Sequence, residues 1–148
     1  MKRIIKVLAI SFLFLAALTG CSKEKTYGLN EDVYVKNSQG EYRIKITDVE
    51  RKVSKKNENY VEITFEVENI SISGTLEKDE YNFMAYDKKG KSCSSYLILG
   101  QNNLKANKGE KYQIKIGYYL DSNDNYIKLD YSDNYLSGNK DLTFVLEW

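Results

Sequence analysis

From Val33 onward, apolar and polar residues alternate with a period of two, which is typical of half-buried β-strands. In the clearest segment, Val61, Ile63, Phe65 and Val67 alternate with glutamate and threonine. Such a strand turns its apolar side chains to a core and its polar side chains to solvent. The alternation predicts about eight strands, at residues 33–36, 41–49, 60–68, 81–86, 96–99, 112–116, 127–131 and 142–146.

Turn-forming residues separate these segments. Residues 37–40 (Asn-Ser-Gln-Gly) predict a hairpin turn before the second strand, and residues 87–90 (Asp-Lys-Lys-Gly) predict one between the 81–86 and 96–99 strands. Residues 107–109 and 121–125 predict two more turns. No helix of ten or more residues is expected after the leader, although residues 100–105 could hold one turn. We therefore predict an all-β fold, an antiparallel β-sandwich of about seven to eight strands.

The first 20 residues have the pattern of a secretory leader. Lys2, Arg3 and Lys6 precede an apolar stretch at residues 7–18, interrupted only by Ser11, that is too short to span a bilayer. Residues 18–21 (Leu-Thr-Gly-Cys) then resemble the lipobox of bacterial lipoproteins, which implies diacylglyceryl transfer to Cys21 and cleavage before it. An ordinary secreted protein whose leader contains a cysteine and an uncleaved signal anchor are the alternatives.

The chain is accordingly divided into three parts. Residues 1–20 are expected to be a cleaved signal peptide, residues 21–31 a lipidated tether, and residues 32–148 one β-sandwich domain. The polar tether from residue 22 onward, fully extended, reaches at most about 35 Å, which keeps the domain near the membrane.

Charge and composition exclude several functions. The leader holds three of the 22 basic residues and none of the 21 acidic ones, so the remainder carries a formal net charge of −2. The basic excess that nucleic-acid binding requires is missing. Histidine, the commonest general base and zinc ligand, is absent, and Cys93 is the only thiol left once Cys21 is acylated.

A weak metal candidate lies at residues 121–125. Asp121, Asn123 and Asn125 place oxygen atoms at alternate positions, as in the start of an EF-hand loop. The sixth position is Tyr126 instead of glycine and the twelfth is Ser132 instead of glutamate. A polar loop without metal is the favoured interpretation.

Tyrosine is the main compositional excess, with 13 residues. It combines a large contact area with a polar tip and is enriched in recognition surfaces. Tyr118, Tyr119, Tyr126 and Tyr135 form a candidate ligand-binding surface, and Tyr118 and Tyr119 must face opposite sides of their strand. The alternative is that these tyrosines are ordinary half-buried strand residues.

Two other groups are expected to have no catalytic role. Cys93 lacks a histidine that would lower the pKa of its thiol, so we expect a buried or inert cysteine. Glu62, Glu66 and Glu68 share one strand face, and we interpret them as a solvated sheet face and not as paired catalytic carboxylates.

The pattern after Val33 resembles an uncharacterised group of bacterial immunoglobulin-like lipoproteins with a telokin-like domain. The matching segments are residues 42–49, 61–69 (whose end belongs to the motif Val-Glu-Asn-Ile-Ser), 83–90, 107–120 and 127–131. This resemblance implies an immunoglobulin-like sandwich outside the cell membrane and no catalytic residues. The cysteine pair and the core tryptophan of antibody domains are missing, since the single tryptophan is Trp148.

These observations give one leading functional hypothesis. We expect a non-enzymatic, lipid-anchored binding or accessory domain on the extracytoplasmic face of the cell membrane of a Gram-positive bacterium. It would need no cofactor, bind no nucleic acid, contact the membrane through Cys21, and engage an unidentified envelope or extracellular protein or ligand. The alternatives are a cell-envelope hydrolase that uses carboxylates and a purely structural envelope lipoprotein.

Overall fold

A computed structural model describes residues 25–101, 104–121, 123–134, 136 and 139–148. Two sheets pack face to face, one with the strand order β1-β9-β8-β5 and the other with the order β2-β3-β4-β7-β6. Within these residues the nine strands are β1 (Thr26–Tyr27), β2 (Val33–Asn37), β3 (Gly40–Val53), β4 (Asn59–Asn69), β5 (Phe83–Tyr86), β6 (Ser95–Tyr96), β7 (Lys111–Tyr119), β8 (Tyr126–Tyr131) and β9 (Leu142–Glu147).

The predicted fold class, an immunoglobulin-like β-sandwich, is confirmed. The eight predicted strands correspond to β2 through β9, with β5 and β6 shorter than expected. The additional strand, β1, comes from the segment interpreted as a tether, so that strand belongs to the domain. Thr26 and Tyr27 pair in parallel with Thr143 and Phe144 of β9, and the ring of Tyr27 packs 5.9 Å from that of Phe144.

The core lies between the two sheets. Inward-facing residues of β4, Val61, Ile63, Phe65 and Val67, are all 0% exposed. Phe65 meets Phe83 of the opposite sheet with ring centroids 4.4 Å apart. Removal of this apolar surface from water is the main force that holds the sheets together.

The predicted hairpin at residues 37–40 is present. Asn37 pairs with Gly40, and the side-chain oxygen of Asn37 accepts hydrogen bonds from the backbone N–H groups of Gln39 and Gly40. Gly40 has φ of 145°, and a Cβ there would lie 2.9 Å from the backbone of Ile72. Both conditions favour glycine at this turn.

The turn at residues 87–90 exists, but the expected hairpin between its flanking strands is wrong. Asp87 and Lys91 are joined by a backbone hydrogen bond, and Cys93 N–H donates to the carbonyl of Ala85. β5 belongs to the four-stranded sheet and β6 to the five-stranded one, so the chain crosses between sheets after this turn. The alternating sequence does not show which sheet a strand joins.

Asn69 fixes the long connection from β4 to β5. Its side chain is 0% exposed. The amide nitrogen donates to the carbonyls of Ile72, Gly74 and Ala106, at 3.3, 3.2 and 3.1 Å, and the amide oxygen accepts from the Ile72 N–H. A buried polar side chain is stable there because its hydrogen-bonding groups are paired.

One end of the sandwich, which we call the hairpin end, carries the 37–40 turn. β1 begins there, since Thr26 pairs with Thr143 at the start of β9. β5 also begins there, since Phe83 pairs with Tyr131, which pairs in turn with Leu142. None of the helical residues that the structure describes forms a segment long and apolar enough to cross a membrane.

Candidate functional site

A groove of about 510 Å³ opens on the outer face of the four-stranded sheet, at the edge formed by β5. Tyr81, Met84 and Tyr86 form its apolar lining, and Asp130 and Lys140 lie beside them. Tyr81 is 67% exposed and Met84 is 60% exposed. Exposed apolar side chains that line a concave surface, with a few polar groups among them, are the usual features of a binding site.

A capped turn places Tyr81 at the rim of this groove. The carboxylate of Asp79 accepts a hydrogen bond from the Tyr81 N–H, and the Asp79 N–H donates to the side-chain oxygen of Asn82. This capping box holds a single 3-10 turn at Glu80–Asn82, where the alternation predicted a strand. Asn82 points inward and donates to the Ser132 carbonyl at 2.9 Å, which leaves Tyr81 on the outside.

Alternation along β5 supplies the rest of the lining. Phe83 and Ala85 enter the core with exposures of 5% and 2%, so Met84 and Tyr86 face outward. The ammonium of Lys128 lies 5.3 Å from the ring centroid of Tyr86. This cation–π contact covers part of the Tyr86 ring and leaves Met84 the more exposed of the two.

The carboxylate in the groove is already paired. Asp130 accepts a hydrogen bond from the Thr143 hydroxyl at 2.8 Å and lies 3.4 Å from Lys128 and 4.0 Å from Lys140. Among the described residues that line the groove, Asp130 is the single carboxylate, whereas a glycosidase-type site uses a pair.

A second cleft, of about 380 Å³, lies on the other side of Tyr81. It is lined by Tyr81 and by the segment after β6, in which Leu97 is 69% exposed and Leu99 is 82% exposed. Gln101 fixes the far end of this segment by exchanging two hydrogen bonds with the backbone of Lys115. We call the surface formed by Tyr81, Met84, Leu97 and Leu99 the Tyr81 surface.

The segment that carries Leu97 and Leu99 begins at a stack of aromatic rings on the five-stranded sheet. The rings of Tyr60 and Tyr96 are stacked at 4.1 Å, and Tyr119 meets Tyr96 edge-on at 5.4 Å. Tyr96 lies directly over Gly117, where a Cβ would come within 2.9 Å of the Tyr96 carbonyl oxygen. The close approach of β6 to β7 therefore depends on glycine at this position.

A polar cluster joins the two sheets at the hairpin end. The hydroxyl of Tyr42 from β3 lies 2.6 Å from that of Tyr131 from β8, and it donates a short hydrogen bond to Asp133. Lys78 pairs with the same carboxylate at 2.6 Å, and the Asn37 side chain donates to its other oxygen at 2.9 Å. The members of this cluster are far apart in the chain, so no local sequence pattern predicts it.

The environment shifts the pKa values of this cluster in opposite directions. Burial raises the pKa of Tyr42, and the neighbouring Tyr131 and Asp133 raise it further, so both tyrosines stay neutral. Burial also disfavours the Asp133 carboxylate, but hydrogen bonds from Lys78, Tyr42 and Asn37 outweigh it and lower the pKa of Asp133 to about 2. A carboxylate held in this way stabilises the fold and is a poor general base.

The three candidate tyrosines that the structure describes are not brought together. Tyr118 faces the core with 3% exposure, whereas Tyr119 is half-buried on the opposite face with the Tyr96 ring. Tyr126 lies in the other sheet, opposite Glu147 of β9. Tyr135 lies outside the described residues, as does the lipidation candidate Cys21.

The candidate metal ligands Asp121 and Asn125 have different partners. Asp121 pairs with Lys91, and Asn125 accepts from Arg51 at 3.5 Å through its side chain and from the Trp148 N–H through its backbone. Asn123 is exposed. Within the described part of the chain, no three histidine, cysteine, aspartate or glutamate side chains are grouped to hold a metal.

Cys93 is a free, partly buried cysteine beside Asp87 and Asp121. Burial and these two carboxylates raise the pKa of its thiol to about 11, against the opposing effect of Lys91. A thiol with this pKa is protonated near neutral pH and reacts slowly, in agreement with an inert cysteine.

The glutamates of β4 are less solvated than the sequence indicated. Glu62 is only 8% exposed, and it contacts Lys52 at 2.8 Å and Lys115 at 2.9 Å. Glu66 lies between Arg43 at 2.6 Å and Lys111 at 2.9 Å. Long basic side chains from β3 and β7 cover the carboxylates, which explains the low exposure.

The fold is similar to that of three solved bacterial structures. The secreted protein MPT63 of Mycobacterium tuberculosis matches with a TM-score of 0.61 at 16% identity, over 86% of this chain and 99% of that one. The yjhA protein of Bacillus subtilis matches with a TM-score of 0.55 at 14% identity, over 82% and 98%. An uncharacterised β-sandwich protein of Clostridium difficile matches with a TM-score of 0.50 at 12% identity, over 85% and 96%.

No protein-family model and no curated protein matches the chain. Identities of 12–16% establish a shared fold and do not transfer a function. The chain therefore has the β-sandwich fold of a group of bacterial proteins that includes a secreted one.

Proposed function

We propose that the protein is a lipid-anchored binding domain without catalytic activity, held on the extracytoplasmic face of the cell membrane through diacylglyceryl on Cys21. The lipobox at residues 18–21 and its basic, apolar leader support the anchor. The similarity to a secreted bacterial sandwich supports the location. We place the domain among the bacterial immunoglobulin-like lipoproteins with a telokin-like domain.

The Tyr81 surface is the observation that carries the binding role. Its four side chains are between 60% and 82% exposed and line two adjoining clefts. A soluble domain normally keeps large apolar side chains scattered, so a concave concentration of them indicates a contact with another molecule. The partner binds along the side of the sandwich where the β5 and β6 edges end the two sheets.

Chemistry argues against an enzyme at this surface. The chain has no histidine, and the raised pKa of Cys93 disfavours a thiolate nucleophile. Asp130, the carboxylate in the groove, is occupied by Thr143 and two lysines. A binding role needs none of these groups to react.

The anchor is tested by the Cys21→Ala variant in cells supplied with a labelled fatty acid. We expect the wild type and a Cys93→Ser control to incorporate label and sediment with membranes. The Cys21→Ala variant should carry no label and either leave the cells or persist as a precursor. Unchanged labelling and membrane retention in that variant would refute the anchor.

The binding surface is tested by photocrosslinking on intact cells. A photoreactive residue at Met84 should give reproducible adducts, while one at Val53, which is 58% exposed at the opposite end of the sandwich, should not. Identical adducts from the two positions would contradict a binding role for the Tyr81 surface.

A further inference from the structure

We propose that the partner of the Tyr81 surface is the lipid bilayer itself, so that the anchored domain lies with Tyr81, Met84, Leu97 and Leu99 against the membrane interface. This inference rests on the proposed lipid anchor at Cys21, and it specifies how the domain is oriented. The protein would then contact the membrane twice, through the lipid on Cys21 and through the Tyr81 surface of the folded domain.

The length of chain before β1 brings this surface close to the membrane. Thr26 is already paired with β9, and it lies five positions after Cys21 in the sequence. Fully extended, five Cα-to-Cα steps reach at most about 18 Å. The domain is therefore kept against the bilayer at the end where β1 begins, which is the hairpin end.

The groove opens at the same end of the same sheet. Met84 pairs with Asp130, which pairs with Thr143, the partner of Thr26. Four neighbouring strands thus connect the tether to the groove, and three strand spacings of about 4.8 Å place β5 roughly 14 Å from β1. A tilt of the anchored domain brings this face onto the membrane without any change in its structure.

The chemistry of the exposed side chains suits a bilayer interface. Leu97 and Leu99 are aliphatic, with 69% and 82% of their surface exposed to water. Tyr81 presents an apolar ring with a polar tip, the combination that favours the headgroup region. Met84 adds a flexible side chain that adapts to an irregular surface.

Charge does not provide the attraction. Lys128 and Lys140 both contact Asp130, and Glu80 lies in the cleft beside Leu97. The surface is thus not a polybasic patch, and its contact with lipid should depend little on salt or on anionic lipid.

A weak contact is sufficient because the anchor holds the surface at a high local concentration near the bilayer. Acyl chains already supply most of the affinity for the membrane. The apolar contact then selects one orientation among those that a short tether permits. The same surface in a free domain would bind vesicles poorly.

The experiment uses the lipidated protein, purified from membranes and reconstituted into vesicles of phosphatidylcholine and phosphatidylglycerol that contain nitroxide-labelled phosphatidylcholine. In a Cys93→Ser background, a fluorophore is attached at Leu99→Cys, at Met84→Cys or, as the matched control, at Val53→Cys. Val53 is also an exposed apolar residue, but β3 ends there, away from the hairpin end.

We expect severalfold stronger quenching by the labelled lipid at positions 99 and 84 than at position 53. This difference should be the same at low salt and at about 1 M salt, where the Debye length is only about 3 Å and electrostatic attraction is screened. Equal quenching at all three positions, or none at any, overturns the inference. Quenching at position 99 that appears only at high protein density would show contact with a second copy, which also overturns it. Mass analysis of the Cys21 peptide from the same sample establishes separately whether the anchor is present.

Discussion

The hydroxyl groups of Tyr42 and Tyr131 lie 2.6 Å apart and connect the two sheets through the core at the hairpin end. Tyr42 also donates to Asp133, whose carboxylate binds Lys78. Hydrogen bonds are directional, so this contact fixes the position of one sheet relative to the other. Apolar packing alone would allow a small shift between the sheets.

Replacing Tyr42 by phenylalanine should destabilise the domain. The variant removes the hydrogen bond to Asp133 and deprives the buried Tyr131 hydroxyl of its nearest partner, at a cost of about 1–3 kcal/mol. The free energy of unfolding in urea measures the change. Tyr34→Phe, at a tyrosine that is 59% exposed, is the matched control and should be nearly neutral. Equal effects of the two variants would contradict a role for the cluster.

Stability should fall in acid through Asp133. Its folded-state pKa of about 2 lies below the ordinary value of 3.8, so the unfolded chain binds this proton more readily. The contribution of the carboxylate, at most roughly 2 kcal/mol, is complete above pH 3.8 and is lost as the pH falls through about 2.

Urea unfolding of the wild type and of Asp133→Asn, measured from pH 5 to pH 2, isolates this effect. The difference between their free energies of unfolding should shrink as the pH falls. A difference that is constant across this range would exclude linkage through Asp133.

Asn69→Asp should be among the most damaging single-atom changes in the chain. A carboxylate cannot donate to the carbonyls of Ile72, Gly74 and Ala106, and it would place a buried charge against these carbonyl oxygens. We expect a loss of about 3 kcal/mol or more in urea unfolding. Gln113→Glu, the same change at an exposed position of β7, should cost little. Comparable losses in both variants would refute the structural role of the Asn69 amide.

Gly117→Ala should disturb the segment that carries Leu97 and Leu99. The new Cβ would lie 2.9 Å from the Tyr96 carbonyl oxygen, so β6 must shift away from β7 or remain strained. Either result should lower the free energy of unfolding by about 1–3 kcal/mol. Limited proteolysis should then cut within residues 97–101 faster than in the wild type. Gly28→Ala is the control, because the nearest atom to its Cβ is a flexible carboxylate oxygen at 3.6 Å.

The thiol of Cys93 should react slowly at neutral pH. With a pKa of about 11, raised by burial and by Asp87 and Asp121, only a small fraction is thiolate. The alkylation rate of the folded protein should rise steadily up to about pH 11, whereas a free cysteine levels off near its ordinary pKa of 9.0. A plateau of the protein at lower pH would show that the thiol is activated.

Sequence periodicity predicted the longer strands well because each of them has a buried face and a more polar face. β1 was missed because Thr26 and Tyr27 stand in a polar segment, and their partner, β9, is remote in sequence. The turn at Tyr81 was taken for strand, although Asp79 and Asn82 have the spacing of a capping box and offered a local signal.

The candidate site was harder to predict, for a different reason. Apolar residues such as Met84 and Leu99 look like core residues until it is known that β5 and β6 are edge strands. Conversely, Tyr118 was considered for a surface but fills the core, since adjacency alone does not reveal which of two neighbours turns inward. Contacts between distant segments decide which strands lie at a sheet edge and which face of a strand is buried. The period-two alternation carries no information about these contacts.

The pairing of β1 with β9 also constrains how the protein is made. Thr26 and Thr143 are partners although 117 positions separate them in the sequence. The four-stranded sheet can be completed only when β9 is available to pair with β1, and until then the incomplete sheet leaves strand edges uncovered. Folding should therefore be slower than in a domain with local pairings, because distant segments must meet before their contacts stabilise the sheet.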